Sequence, residues 1–176
     1  MVKTKEKMIS KSGSAPVEFE RIYQQHVRQV YGYLFSIVGN VQDAEDICGQ
    51  TFLAVYETLH TFRGNSSIRS WIFRIARNKA MDHFRMQKRI VTGELPELPL
   101  NHDPLKGVIR SEQAEVLAKL MKSLPEHEVE LLRLRFLAQM TFADMADFLG
   151  RNEDAVKKSV YRLIDRLKKL AEGNHE

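Results

Sequence analysis

The sequence predicts an all-α fold of two small helical domains joined by a flexible linker, the C-terminal one a helix-turn-helix. Three observations lead there. Apolar residues recur at intervals of three and four through most of residues 17–89 and 111–170, the spacing of amphipathic helices. No segment alternates with the period of a strand. Between the halves, Ile90–Arg110 loses the helical period and carries three prolines and two glycines, the composition of a linker.

Residues Met1–Pro16 are polar, rich in Lys and Ser and without periodicity, so a flexible tail is expected, with the fold starting near Val17. From Phe19, the positions Ile22, Tyr23, Val27, Val30, Tyr31, Leu34, Phe35 and Val38 mark one face of a helix that ends at Gly39-Asn40. A second helix follows, with Ala44, Ile47, Cys48, Phe52, Val55, Tyr56 and Leu59 as its expected buried side. Its charges are Asp43, Glu45, Asp46 and Glu57, and Val41–His60 contains no Lys or Arg. Metal binding by this acidic face is disfavoured. Residues 43 and 46 share a face, Glu45 points elsewhere, and no His or loop nearby supplies further ligands. A solvated first turn and a docking surface for a basic partner both remain open.

Phe62–Ser67 is loop chemistry: Gly64 and Asn65 tolerate turns, and Ser66 or Ser67 can cap the next helix. That helix runs to about Arg89. At about 100° per residue, Ile68, Ile72, Ile75, Ala76 and Ala80 form the core arc. Trp71, Asn78 and Asp82 share a ridge beside it, flanked by Arg74, Arg77, Arg85 and Lys88. Phe62, Trp71, Phe73 and Phe84 are interleaved among these cations. Charge alone fits a solvated basic face equally well, but aromatics beside cations suit an unpaired nucleic-acid strand, whose bases stack while its backbone follows the charge. Trp71 has two readings, a stacking platform or a ring held mostly in the core.

Within the linker, Val91–Gly107 is acidic, with Glu94, Glu97 and Asp103 against Lys106. Ser111–Leu124 reads as a helix on Val116, Leu117, Leu120 and Leu124. Pro125-Glu126 starts another, with Val129, Leu131, Leu132, Leu134 and Phe136 expected inward. Thr141–Gly150 is a short helix whose Thr141 and Asp144 are spaced as a capping box and which Gly150 ends. A turn leads to a last helix, through about Leu170, with Val156, Val160, Leu163, Ile164 and Leu167 inward and Lys157, Lys158, Arg162, Arg166, Lys168 and Lys169 outward. Two helices across a short Gly-containing turn fit a helix-turn-helix, although that pattern alone also suits plain packing helices.

Composition sets the outer bounds. The chain has 176 residues, 43% hydrophobic and 28% charged, with a net charge of +4, so the placement of charge matters more than its sum. The single cysteine, Cys48, rules out an internal disulfide framework and reads as a small buried hydrophobe. No run approaches the roughly 18 apolar residues of a membrane span, and no apolar signal segment is present, so a soluble cytoplasmic protein without membrane insertion is expected. The histidines lack metal spacing, and there is no phosphate-cradling loop or nucleophile elbow, so no enzyme chemistry, metal or cofactor is expected.

Three stretches together, in order and spacing, resemble bacterial RNA polymerase sigma factors of the extracytoplasmic-function (ECF) class: DAEDICGQTF (43–52), FRGNSSIRSWIFRIARNKAMDHFR (62–85) and the segments LPEHEVELLRLRF, TFADMADFLG and AVKKSVYRLIDRL within 124–167. The resemblance runs from Phe19 to Leu170. It implies a promoter-melting and core-docking domain over 17–89, an acidic linker over 90–110 and a promoter-reading domain over 111–176. Asp43, Glu45, Asp46 and Gln50 would dock on the clamp helices of core RNA polymerase, whose flap is a second implied contact. Phe62, Arg63, Gly64, Asn65, Ser66, Trp71, Arg74, Arg77, Asn78, Asp82 and Arg85 would meet minus-ten DNA, the loop and Asn78 forming the pocket for an extruded base. Lys157, Tyr161 and Arg162 would face base edges at the minus-thirty-five element, with Lys158 and Ser159 on phosphates. The linker would thread toward the polymerase's active-site and RNA-exit channels, its acidity mimicking nucleic acid. Promoter DNA and an anti-sigma protein are the other implied partners.

The chain departs from the family pattern at particular positions. Gly49-Gln50 stand where a Gln-Glu pair is usual, which removes one acid and places a helix-weakening glycine in the docking helix, at about 1 kcal/mol. Arg151 replaces a usual apolar residue, and Asp154-Ala155 replace Gly-Thr. A different reading of the residues is a stand-alone helix-turn-helix regulator that binds duplex DNA without polymerase. A third is a paralogue that only occupies polymerase.

Overall fold

A computed structural model of the chain describes residues 15–92 and 123–172. Six helices form the described part: α1 (Ala15–Val38), α2 (Val41–Thr58), α3 (Ile68–Thr92), α4 (Glu126–Leu132), α5 (Phe142–Leu149) and α6 (Glu153–Glu172). A 3₁₀ turn, Leu59–Thr61, extends α2, and a π turn, Arg133–Leu137, extends α4. Among the described residues there is no strand. Residues 111–122 of the helix expected over 111–124, and most of the linker, lie outside the described residues, while Ser123 and Leu124 form a turn before α4. Residues 90–92 continue α3, and α1 begins at Ala15, inside the expected tail.

Local chemistry sets the helix ends. Gly39, at φ 77°, closes α1 with its N–H donating to Phe35 at 2.9 Å, a conformation that costs glycine little. Asn40 then caps α2 by accepting from the Asp43 N–H at 2.8 Å. Ser67 caps α3, its hydroxyl accepting from the Ser70 N–H at 3.1 Å. Thr141 and Asp144 form a reciprocal capping box on α5, and Gly150 ends that helix in the left-handed region at φ 63°. Asn152 caps α6 through the Asp154 N–H at 2.9 Å.

α1, α2 and α3 pack on one another, while α4 and α5 pack on α6. α1 and α3 also rest on the π turn and α5, so Tyr33, Ile72 and Phe73 share one buried cluster with Leu134, Met140 and Phe148. Polar groups stitch the same seam. The Tyr33 hydroxyl donates to the Glu130 carboxylate at 2.8 Å, and Arg133 donates to the Ser36 carbonyl at 3.1 Å while pairing with Glu126. Burial pushes the Glu130 carboxyl pKa up, although Tyr33, Arg133 and Arg77 pull it the other way.

Several expected core positions differ. Phe136 is 57% exposed. The Ala138 N–H reaches back five residues to Arg133, so the π turn adds a residue that rotates Phe136 out and brings Ala138 and Met140 in. Tyr56 is 53% exposed, because the buried face of α2 is completed by Thr51, whose hydroxyl donates to the Ile47 carbonyl at 2.7 Å. Phe73 is fully buried edge-on to Tyr33, with centroids 5.2 Å apart, rather than standing among the surface aromatics.

Candidate nucleic-acid interface

The loop before α3 and the outer ridge of that helix form one continuous surface. The Phe62 N–H closes the 3₁₀ turn on Leu59 at 3.1 Å, and Gly64 carries the chain round at φ 72°. A Cβ at Gly64 would meet nothing within 4 Å, so backbone conformation alone favours glycine there. Arg63, Gly64 and Asn65 are exposed, and Ser66 is half-buried. The Phe62 ring lies 5.1 Å from Trp71, tilted by 41°, and both are half-buried. Trp71 packs against the core and offers only part of its surface.

Further along the ridge, Asn78 is exposed and its side chain makes no hydrogen bond among the described residues. Asp82 is exposed and accepts from Arg85 at 2.9 Å. An unengaged amide with both donor and acceptor therefore stands between an aromatic pair and a salt-bridged pair, able to read the edge of a base.

The basic flank is divided. Arg85 faces solvent, but Arg74 donates to the Asp147 main-chain carbonyl at 2.5 Å and to its carboxylate at 2.9 Å. Arg77 lies 3.9 Å from Glu130 and 5.8 Å from the Phe148 ring centroid. Sequence reasoning missed two neighbours on this side. Arg69 donates to the carbonyls of Ala138, at 3.3 Å, and Gln139, and the Ser70 hydroxyl donates to the Asp144 carbonyl at 2.9 Å. Both sit at the margin of the apolar arc, where helical spacing does not separate core from seam.

On α2, Glu45, Asp46 and Gln50 are exposed together with Leu53, giving an acidic face with an apolar centre. Asp43 is engaged differently. Its carboxylate accepts from Asn40 at 2.5 Å, lies 3.3 Å from His83 and takes a long 3.5 Å contact from Gln87, which fixes the start of α2 on α3. Gly49 is exposed, and a Cβ there would meet nothing within 4 Å, so it leaves the face open at that point. Burial pushes the Cys48 thiol up to about 11, leaving it inert at neutral pH.

On α6, Val156, Val160 and Leu163 are buried and Lys157, Lys158, Tyr161 and Arg162 are exposed. Tyr161 leans on Phe142 of α5 at 5.7 Å, and Arg135 sits over the same Phe142 ring at 4.6 Å. Ser159 is half-buried. Its hydroxyl donates to the Ala155 carbonyl at 2.8 Å and accepts from Arg151 at 3.3 Å, so it is committed within the protein.

The Sigma-70 region 2 family matches residues 22–90, which include α2 and the ridge of α3. The ECF RNA polymerase sigma factor BldN of Streptomyces coelicolor is 32% identical over 157 residues, covering 86% of this chain and 60% of that relative. The ECF RNA polymerase sigma factor SigM of Bacillus subtilis is 29% identical over 153 residues, covering 86% of this chain and 93% of SigM. The chain is similar to ECF RNA polymerase sigma factors over most of its length.

The chain shares its fold with two solved structures. CnrH, solved in complex with the cytosolic domain of CnrY, superposes with a TM-score of 0.63 at 21% identity, over 92% of this chain and 94% of that one. RpoE from Bartonella quintana, solved with the anti-sigma factor NepR, gives 0.62 at 20% identity, over 88% and 97%. The chain spans about 60% of BldN and most of SigM. No helix among its described residues is long and apolar enough to cross a membrane.

Proposed function

We propose that this chain is a sigma factor that directs core RNA polymerase to specific promoters in the cytoplasm, without catalytic chemistry of its own. Residues 17–89 recognise and melt the minus-ten element, and the helix-turn-helix of residues 111–176 reads the minus-thirty-five element. The observation that carries this reading is the exposed, unengaged amide of Asn78 beside the Phe62–Ser66 loop. Such a ridge holds a base already out of the stack. Extruding a base costs a few kcal/mol, and trapping it shifts the duplex toward the open form.

The acidic face of Glu45, Asp46 and Gln50, centred on exposed Leu53, supports docking on the clamp helices, and the flap is the second polymerase contact. Asp43 acts by holding this face in place rather than by touching the partner. The exposure of Lys157, Tyr161 and Arg162 supports contact with base edges, and that of Lys158 contact with a phosphate. Minus-ten and minus-thirty-five elements lie some 25 base pairs apart, roughly 85 Å of duplex at about 3.4 Å per pair. Modules packed through Arg74 and Tyr33 do not span that distance, so promoter engagement separates them across the linker. CnrH and RpoE were solved with CnrY and the anti-sigma factor NepR, which supports regulation of this chain by an anti-sigma protein.

Run-off transcription tests the reading. Purified core polymerase with the chain is expected to initiate at a distinct subset of a genomic promoter library, and neither component alone to do so. Absence of any product, together with tight binding of the free chain to an operator, would establish a stand-alone regulator instead.

A further inference from the structure

The side of α6 that faces α4 carries a basic cleft that shares only Arg162 with the residues expected to read bases. The cleft has a volume of about 370 Å³ and is lined by His127, Glu128, Arg151, Ser159, Arg162 and Arg166, among others. Three guanidinium groups face a single carboxylate. The Arg162 guanidinium makes no hydrogen bond or ion pair among the described residues. Arg166 pairs with the largely buried Glu128, which directs its fork, and a guanidinium has five N–H donors, so others stay available. Arg151, standing where the family pattern has an apolar residue, is exposed and held along the helix by its 3.3 Å hydrogen bond to Ser159.

The position of this cleft defines its ligand. At about 100° per residue, Ser159, Arg162 and Arg166 occupy a strip about 60° wide along α6, and Lys157 and Tyr161 lie on another side of the helix. A helix seated in a major groove has a sugar-phosphate strand on either side. We propose that the α4–α6 cleft is a phosphate clamp, in which Arg151 and Arg166, beside Arg162, grip a backbone phosphate flanking the minus-thirty-five element. Planar guanidinium forks match phosphate oxygens bidentately. The clamp adds affinity and fixes the register of α6 without reading sequence.

This inference rests on the minus-thirty-five reading, and the test keeps the two apart. Equilibrium binding of reconstituted holoenzyme to a promoter duplex is measured against salt, for matched and scrambled minus-thirty-five elements, with wild type, Arg151→Ala and Arg166→Gln. Each variant is expected to flatten the slope of log K against log salt by about 0.9, the value of one phosphate contact, with the matched-to-scrambled ratio within about twofold of wild type. Unchanged slopes in both variants, or a changed ratio, overturn the clamp while leaving the minus-thirty-five reading intact. A wild-type holoenzyme indifferent to scrambling overturns both. In a parallel titration, the full chain without DNA is mixed with inorganic phosphate and pyrophosphate. Saturable binding that Arg151→Ala abolishes, combined with unchanged DNA slopes, would assign the cleft to a free phosphorylated ligand and overturn the backbone assignment.

Discussion

The Arg74 guanidinium bridges from α3 to Asp147 on α5, holding both its main-chain carbonyl at 2.5 Å and its carboxylate at 2.9 Å. A cation proposed for strand binding is thus engaged by the first helix of the helix-turn-helix. The two side chains are 39% and 34% exposed, so solvent screening limits the charged pair to under about 1 kcal/mol. Asp147→Ala frees the side-chain half of this contact. The free chain is expected to bind a minus-ten non-template oligonucleotide about two- to fivefold more tightly, read by fluorescence anisotropy. Unchanged affinity would mean that the Asp147 contact does not compete with the strand.

Gln139 sits at φ 52°, in the left-handed region, immediately after the π turn. An L side chain there is strained, and glycine is not. Gln139→Gly is expected to stabilise the fold by about 0.5–1 kcal/mol in chemical denaturation, the relief of strain exceeding the entropy added to the unfolded chain. The Arg69 hydrogen bond survives the change because it goes to the main-chain carbonyl. A loss of stability would show that the Gln139 side chain contributes more than its backbone costs.

His26 is 2% exposed, and neither ring nitrogen has a partner among the described residues. Burial lowers its pKa below 6.5, the Arg69 cation lowers it further, and Asp144 opposes both. The folded chain therefore keeps His26 neutral where the unfolded chain takes up a proton. Its penalty is absent above pH 6.5 and grows as the pH falls below it. Thermal unfolding at about pH 7.5 and about pH 5.5 is expected to show a larger acid-induced loss for wild type than for His26→Leu. The raised Glu130 pKa acts with the opposite sign in both proteins and cancels in that difference. Parallel losses would contradict a buried neutral imidazole.

Much of this arrangement is legible in the residues. Helical spacing places Val30, Leu34, Ile47, Phe52, Ile72, Val156 and Val160 inward, where the fold buries them, and the caps at Thr141 and Gly150 follow from residue chemistry alone. The misses share a cause. A uniform 100° step puts Phe136 inward, but the π turn interrupts that step, and π turns have no simple sequence signature. Phe73 reads as one of the surface aromatics because a basic neighbourhood resembles a surface, whereas Tyr33 from a distant segment covers it. The seam between the halves is invisible for the same reason: Arg69, Arg74 and Ser70 bond to groups about seventy residues away, many of them main-chain carbonyls that carry no residue identity. Asp43 reads as one acid among three, and only the fold shows it hydrogen-bonded to Asn40 and 3.3 Å from His83.

The proposed role of Asn78 is tested most directly by permanganate reactivity of unpaired thymines in the minus-ten region, measured with holoenzyme carrying wild type or Asn78→Ala, beside closed-complex affinity for the same promoter. Loss of one base-edge contact is expected to lower the open fraction by about fivefold or more, at about 1–3 kcal/mol, while closed-complex affinity stays near that of wild type. Equal losses in both, or full reactivity in the variant, would contradict a base pocket on the α3 ridge.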